Sequence, residues 1–168
     1  MASSPNTDGT RPGDNAAMNY WLMKSEPDEF SIDALKRAKK EPWSGVRNYQ
    51  ARNFMKDGMR VGDGILFYHS SCPEPGVVGV AEVRSEAYPD PSQFNPGSDY
   101  HDPASKPDAP RWWLVDVGFK RKLKRTITLD ELRAEAQTLG DFALLNRGNP
   151  LSVLPVTAAQ WKHILSLE

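Results

Sequence analysis

The chain has 168 residues, 39% of them hydrophobic and 26% charged, with a formal net charge of −1. That is long enough for one domain with a real core, and the composition is that of a globular chain. The near-neutral charge argues against tight non-specific binding to duplex nucleic acid, the single cysteine, Cys72, excludes an intrachain disulfide and a cysteine zinc site, and no apolar run approaches the roughly 18 residues of a membrane span.

Residues 1–17 are rich in Ser, Pro, Asn, Asp and Gly and contain no hydrophobic segment. They read as a disordered tail rather than a secretory signal, with Met18 as a second candidate start. Tyr20 to Met23 is a short apolar strand. Lys24-Ser25-Glu26-Pro27 ends it in a turn, because Pro27 biases Glu26 away from helix. Ser31 to Lys40 is a predicted helix, with Ser31 as N-cap and Phe30 and Leu35 as a hydrophobic staple. Its basic end suits the negative pole of the helix, and Pro42 stops it. From Lys36 to Arg60 eight basic residues face two acidic ones, so a local basic face is compatible with the neutral whole.

The stretch Trp43-Ser44-Gly45-Val46-Arg47-Asn48-Tyr49-Gln50-Ala51-Arg52-Asn53 mixes an aromatic plane, two arginine forks and two asparagine amides. The plane can stack on a flat ligand, and the forks and amides can read its edge or hold a phosphate. The same residues read as a helix start, with Asn48 as cap and Ala51, Phe54 and Met55 as the buried stripe. The two readings are compatible, since a helix start also accepts anions.

Asp57-Gly58 marks a helix end and Gly62-Asp63-Gly64 a turn. Ile65 to Tyr68 is a strand ending at His69. Cys72, beside a proline in a polar loop, has no activating partner and reads as incidental. Val77 to Val83 is a strand in which Gly79 allows a close approach or a bulge. The loop from Ser85 to Pro110 holds six prolines. Its length suggests function or mobility, while Tyr88, Phe94 and Tyr100 argue that part of it packs. Asp90, Asp99, His101 and Asp102 sit mostly in turn-forming contexts, so Asx-turn capping is preferred to a metal. Arg111 to Leu123 is the longest predicted strand, with Trp113, Val115, Val117 and Phe119 on one face and Trp112 on the other. A second basic run, Lys120 to Arg125, overlaps its end. Thr128 opens a helix with Glu131 as capping-box partner, ending near Leu139-Gly140, and a helical turn follows over Asp141 to Leu145. Leu151 to Val156 is the last strand, an edge by virtue of Pro155. Thr157 and Gln160 box the start of a final helix that Trp161, Ile164 and Leu165 dock.

This order does not alternate as a doubly wound sheet would. It contains no Gly-rich phosphate loop, nucleophile elbow or zinc spacing. Small barrels leave a mouth where ligands sit, which favours a binding module over an enzyme. A Ser25, His69 and Asp116 triad can be arranged only on paper, since these are strand ends without a local signature. The third class, a protein-interaction domain, would use the 85–110 loop.

Eight segments in register from about Met18 to the C-terminus carry a resemblance to a known family. They are Tyr20-Trp21-Leu22-Met23-Lys24-Ser25-Glu26-Pro27, Trp43 through Arg52, Phe67-Tyr68-His69-Ser70, Val78 through Val83, Tyr88-Pro89-Asp90-Pro91, Pro110-Arg111-Trp112, Val115-Asp116-Val117 and Leu151 through Val156. The chain resembles the EVE domain family over residues 18–168. The resemblance implies an α+β fold, a PUA-like mixed β-barrel of about five to six strands with peripheral α-helices. It also implies a non-enzymatic nucleic-acid-binding module, in which a methylated or oxidised base from DNA or RNA enters an aromatic pocket. On that basis Trp43 is the expected stacking plane, and Lys24, Ser25 and Asn48 donate to the base edge. Val46, Tyr68 and His69 complete the wall, while Arg47, Arg52 and Arg147 meet phosphates. Without the resemblance, Lys24 and Ser25 are an ordinary turn and His69 a structural histidine, while core packing is the open alternative for Trp43. No metal, cofactor or membrane partner is expected. The chain is expected to be a monomer, cytoplasmic in a bacterium or nuclear in a eukaryote.

Overall fold

The computed structural model describes residues 18–168, so the expected N-terminal tail lies outside the described residues. Six strands form one curled sheet, a half-barrel. They are β1 (Tyr20–Ser25), β2 (Lys40–Pro42), β3 (Gly64–His69), β4 (Gly76–Val83), β7 (Asp116–Thr128) and β8 (Val153–Val156), in the order β2-β7-β4-β3-β1-β8. A separate ribbon pairs β5 (Tyr88–Pro89) with β6 (Trp113–Leu114). Helices α1 (Ile32–Ala38), α2 (Tyr49–Asn53), α3 (Leu129–Ala134), α4 (Ala136–Leu139) and α5 (Ala158–Ser166) surround the sheet. Among the described residues no helix is long and apolar enough to cross a membrane.

β1 reads as a continuous apolar run because it is internal. It lies parallel to β3 on one side and antiparallel to β8 on the other, with Trp21, Leu22 and Met23 all buried. The parallel pairing sets Ser25 beside His69, so both strands end at the same rim. The indole N–H of Trp21 would be costly to bury unpaired, and it donates to Asp63 at 3.0 Å. β8 is an edge strand, and Pro155 is its one exposed residue. The stacked rings of Tyr20 and Trp161, 4.4 Å apart, dock α5. Thr128–Glu131 and Thr157–Gln160 both form reciprocal capping boxes, and Ser31 caps α1 through the Ala34 N–H.

The larger departures from the sequence reading lie in α1, the long strand and the helix after it. α1 stops at Ala38 rather than Lys40, because Lys39 takes a φ of 69° and turns the chain into β2. The long strand expected over Arg111 to Leu123 is two. β6 pairs with β5, Val115 leaves the ladder to accept from the Trp43 N–H, and β7 then runs on to Thr128. β7 extends that far because Gly76 and Val77 pair with Thr128 and Ile127. Four side chains of its basic run are paired: Lys120, Arg121, Lys122 and Arg125 meet Glu82, Glu168, Asp33 and Glu131 respectively. The helix expected from Thr128 to Leu139 breaks at Glu135, whose carboxylate lies 2.6 Å from the His163 ring of α5.

Gly79 occupies a bulge of the β4–β7 ladder, and a Cβ there would come within 2.4 Å of Ile32 Cδ1 and 3.1 Å of the Arg121 carbonyl oxygen. Sheet and α1 meet through this bare backbone. Gly79→Ala is therefore expected to destabilise the fold by about 1–3 kcal/mol, the range for overpacking. Urea unfolding of the two proteins measures it.

Candidate functional site

The rim where β1 and β3 end borders a half-open cavity of about 460 Å³. Lys24 and Ser25 supply one wall and Glu41, Pro42 and Trp43 a second. Ser44 to Arg47 with Tyr100 form the third, and Pro150 to Ser152 close the side by β8. Backbone hydrogen bonds set these walls. The Lys24 N–H donates to the Ser152 carbonyl at 2.8 Å, the Ser70 N–H to Ser25 at 3.0 Å and the Trp43 N–H to Val115 at 3.0 Å. The Ser25 hydroxyl is turned onto the Phe30 carbonyl, which fixes the turn after β1.

Asp90 holds the third wall. Its carboxylate is 1% exposed and accepts from the Gly45 N–H (2.8 Å), the Ser92 N–H (2.8 Å), the Ser92 hydroxyl (2.6 Å) and Arg47 Nη1 (3.1 Å). Burial pushes the Asp90 carboxyl upward, but these hydrogen bonds outweigh it and keep it below the usual carboxylate range. Gly45 needs its φ of 91°, and a Cβ there would lie 2.7 Å from the Tyr100 ring. Glycine thus lets Tyr100 close against the backbone.

Arg47 leaves no N–H for a phosphate. Nε and Nη2 donate to the Tyr100 carbonyl, Nη2 also to Ser92 Oγ, and Nη1 to the Val46 carbonyl and Asp90. These are all five donors of a guanidinium. The group also lies 5.3 Å from the Trp112 ring centroid and 5.5 Å from that of Tyr100. The expected phosphate contact of Arg47 gives way to a framing role for this reason.

The sequence-predicted residues divide. Lys24, Ser25, Trp43, Val46 and Arg47 come together at the cavity; Asn48, Tyr68, His69, Arg52 and Arg147 are not among its lining residues. Asn48 caps α2, its Oδ1 accepting from the Ala51 N–H at 3.0 Å. Tyr68 is buried in β3, and burial pushes its phenol up to about 12. His69 Nε2 accepts from the Ile32 N–H at 3.1 Å, so its ring is a neutral acceptor for the start of α1, and burial lowers its pKa accordingly. Arg52 lies 4.8 Å from the Tyr49 ring centroid and donates Nη1 to the Arg111 carbonyl and Nε to Asn53. Arg147 is exposed in the turn that leads to Pro150. Trp43 belongs to the hydrophobic core as well as to the cavity: it is 8% exposed and meets Phe67 and Phe30 edge to face.

Sequence reasoning overlooked Glu41, Tyr100 and Gln93. Gln93 is fully buried and glues the long loop. Its Nε2 donates to the Asp90 and Trp112 carbonyls, and its Oε1 accepts from Ser105 Oγ and the Trp112 N–H. The aspartates do act as turn caps: Asp90 caps Pro91–Phe94 and Asp102 accepts from the Ala104 N–H. The signal for Asp90 was present in Asp-Pro-Ser; nothing local marks Glu41 or Gln93.

Two cavity charges are partly desolvated. Burial lowers the Lys24 pKa and raises that of Glu41. Glu26 and Glu29, on the outer rim, are exposed.

A curled half-barrel whose strand ends frame a cavity in the size range of small-ligand sites defines a PUA-like binding domain. The chain belongs to the EVE domain family, whose model matches residues 19–167. It is 45% identical to mouse thymocyte nuclear protein 1 over 168 residues, covering 89% of this chain and 74% of that protein. Among solved structures, one protein of Pseudomonas putida superposes with a TM-score of 0.85 at 49% identity, covering 88% of this chain and 98% of that one. The human THYN1 protein in complex with DNA containing 5-methylcytosine superposes with a TM-score of 0.84 at 42% identity, covering 89% and 96%.

Because the folded Asp90 pKa lies below its unfolded value of about 4, its stabilisation is complete above that value and lost as pH falls through the folded one. Limited proteolysis of the 85–110 loop is thus expected to accelerate only as the pH falls below about 4. Asp90→Ala is expected to show the fast rate already at neutral pH, with a loss of about 3 kcal/mol for leaving Arg47 without its carboxylate.

Proposed function

We propose that this chain is a reader of a modified base in DNA. The base would be extruded from the duplex into the cavity, at a cost of a few kcal/mol. The observation that carries the reading is the human relative, 42% identical and similar along the whole domain, held on 5-methylcytosine DNA. The cavity supports it with an aromatic wall at Trp43 and a donor at Lys24 for an acceptor on the base edge. Ser44 and Tyr100 add polar groups at the entrance. Phosphates fall to Arg52, whose Nη2 has no acceptor among the described residues, and to Arg147.

Binding is favoured over catalysis because Ser25, His69 and Asp116 have separate employments. They engage the Phe30 carbonyl, the Ile32 N–H and the Tyr88 hydroxyl. The tightly bonded 85–110 loop is a frame for the cavity rather than a free peptide-docking segment. In this reading the protein acts as a monomer wherever DNA is, in the nucleus of a eukaryote or the cytoplasm of a bacterium.

The test is binding of short duplexes with one 5-methylcytosine against unmodified ones at fixed salt. Selective binding that Lys24→Met weakens supports the reading, and equal binding of both duplexes overturns it. Trp43→Ala is a poor probe, since removing a core tryptophan is expected to cost the fold about 3–5 kcal/mol. Arg52→Ala should lower the salt slope of binding by about one; an unchanged slope removes Arg52 from the phosphate role.

A further inference from the structure

The cavity holds two half-buried opposite charges that do not neutralise each other. Lys24 and Glu41 both line it, and neither side chain has an ion-pair or hydrogen-bond partner among the described residues. On β7, by contrast, four basic side chains are paired even at the surface. Burying a charge without a partner is costly. The burial-raised pKa of Glu41 and the burial-lowered one of Lys24 reflect that cost. A third group in the same wall is also unsatisfied: Trp43 is nine-tenths buried, and its indole N–H has no acceptor among the described residues. The cavity therefore offers one strong acceptor and two donors to whatever enters.

We propose that Glu41 is the specificity-determining acceptor of the site, reading the exocyclic amine of an aminopyrimidine while Lys24 and the Trp43 N–H serve the acceptor side of the same base. This rests on the reading of the cavity as a base pocket. The edge of cytosine carries an amine beside a ring nitrogen and a carbonyl, one donor and two acceptors. Thymine puts a carbonyl where the amine was and a proton on the ring nitrogen. A carboxylate accepts from the cytosine amine but repels the thymine carbonyl. A pocket that recognised only the 5-methyl group would take both bases alike, because both carry it. Glu26 and Glu29 do not share the task, since they are exposed and solvated.

The experiment compares duplexes carrying 5-methylcytosine, thymine or cytosine at one position opposite an abasic site, so that no base pair has to be broken. The wild type is expected to prefer 5-methylcytosine over thymine by about tenfold or more. Glu41→Gln should bring the two within about threefold, because the amide can donate to the thymine carbonyl. Glu41→Asp should keep the preference for the amine at lower affinity, and thermal unfolding of each variant verifies the fold. Retained discrimination in Glu41→Gln overturns the role of Glu41 and leaves the reader intact. Equal wild-type binding of 5-methylcytosine and thymine, both above cytosine, also overturns it in favour of methyl recognition alone. If none of the three bases binds better than a site with no base, the base-pocket reading fails and this inference with it.

Discussion

The buried carboxylate of Asp90 joins the two parts of the chain that make the cavity. One is the Trp43–Arg47 segment after β2, and the other is the loop from Ser85 to Pro110. Four hydrogen bonds converge on this one side chain, from Gly45, Ser92 and Arg47. A buried carboxylate needs such a shell, because water cannot supply it. The shell in turn fixes the path of Gly45, the contact of Tyr100 with it and the orientation of the Arg47 guanidinium. Gln93 repeats the device a few residues on, using all four of its amide hydrogen bonds to hold Trp112 and Ser105. A loop without a regular ladder is thereby made into a wall.

This construction separates two kinds of charge. Arg47, Asp90 and four basic side chains of β7 are engaged within the protein and contribute to architecture. Lys24 and Glu41 have no such partners among the described residues and sit where a ligand would. Counting basic residues along the sequence cannot tell these groups apart. Eight basic residues between Lys36 and Arg60 suggest a face, yet one of them turns the chain at Lys39, one frames the cavity at Arg47 and one lies over Tyr49. Charge acts on a ligand only where the fold leaves it unpaired.

Local chemistry was legible residue by residue. Ser31, Thr128 and Thr157 start helices because a side-chain oxygen three residues before a free N–H is a local arrangement. The Asx turns at Asp90 and Asp102 are local for the same reason, and Pro155 marked an edge strand because proline cannot donate to a ladder. The eight ordered segments carried the family, and with it the half-barrel. At the cavity, the Lys24-Ser25 strand end and the Trp43–Arg47 segment were likewise readable, since each lies next to a turn that the sequence announces.

Sequence alone thus determined the elements, the family and the chain segments that meet at the rim, because these depend on neighbours within a few residues. Tertiary structure alone decided which of those side chains face the cavity. The roles of His69, Arg47 and Glu41 depend on Ile32, Asp90 and an absent partner, each of them brought near or kept away by strand pairing over tens of residues. Register decides this: shifting a strand by one position exchanges its two faces, and no window of local sequence contains that information.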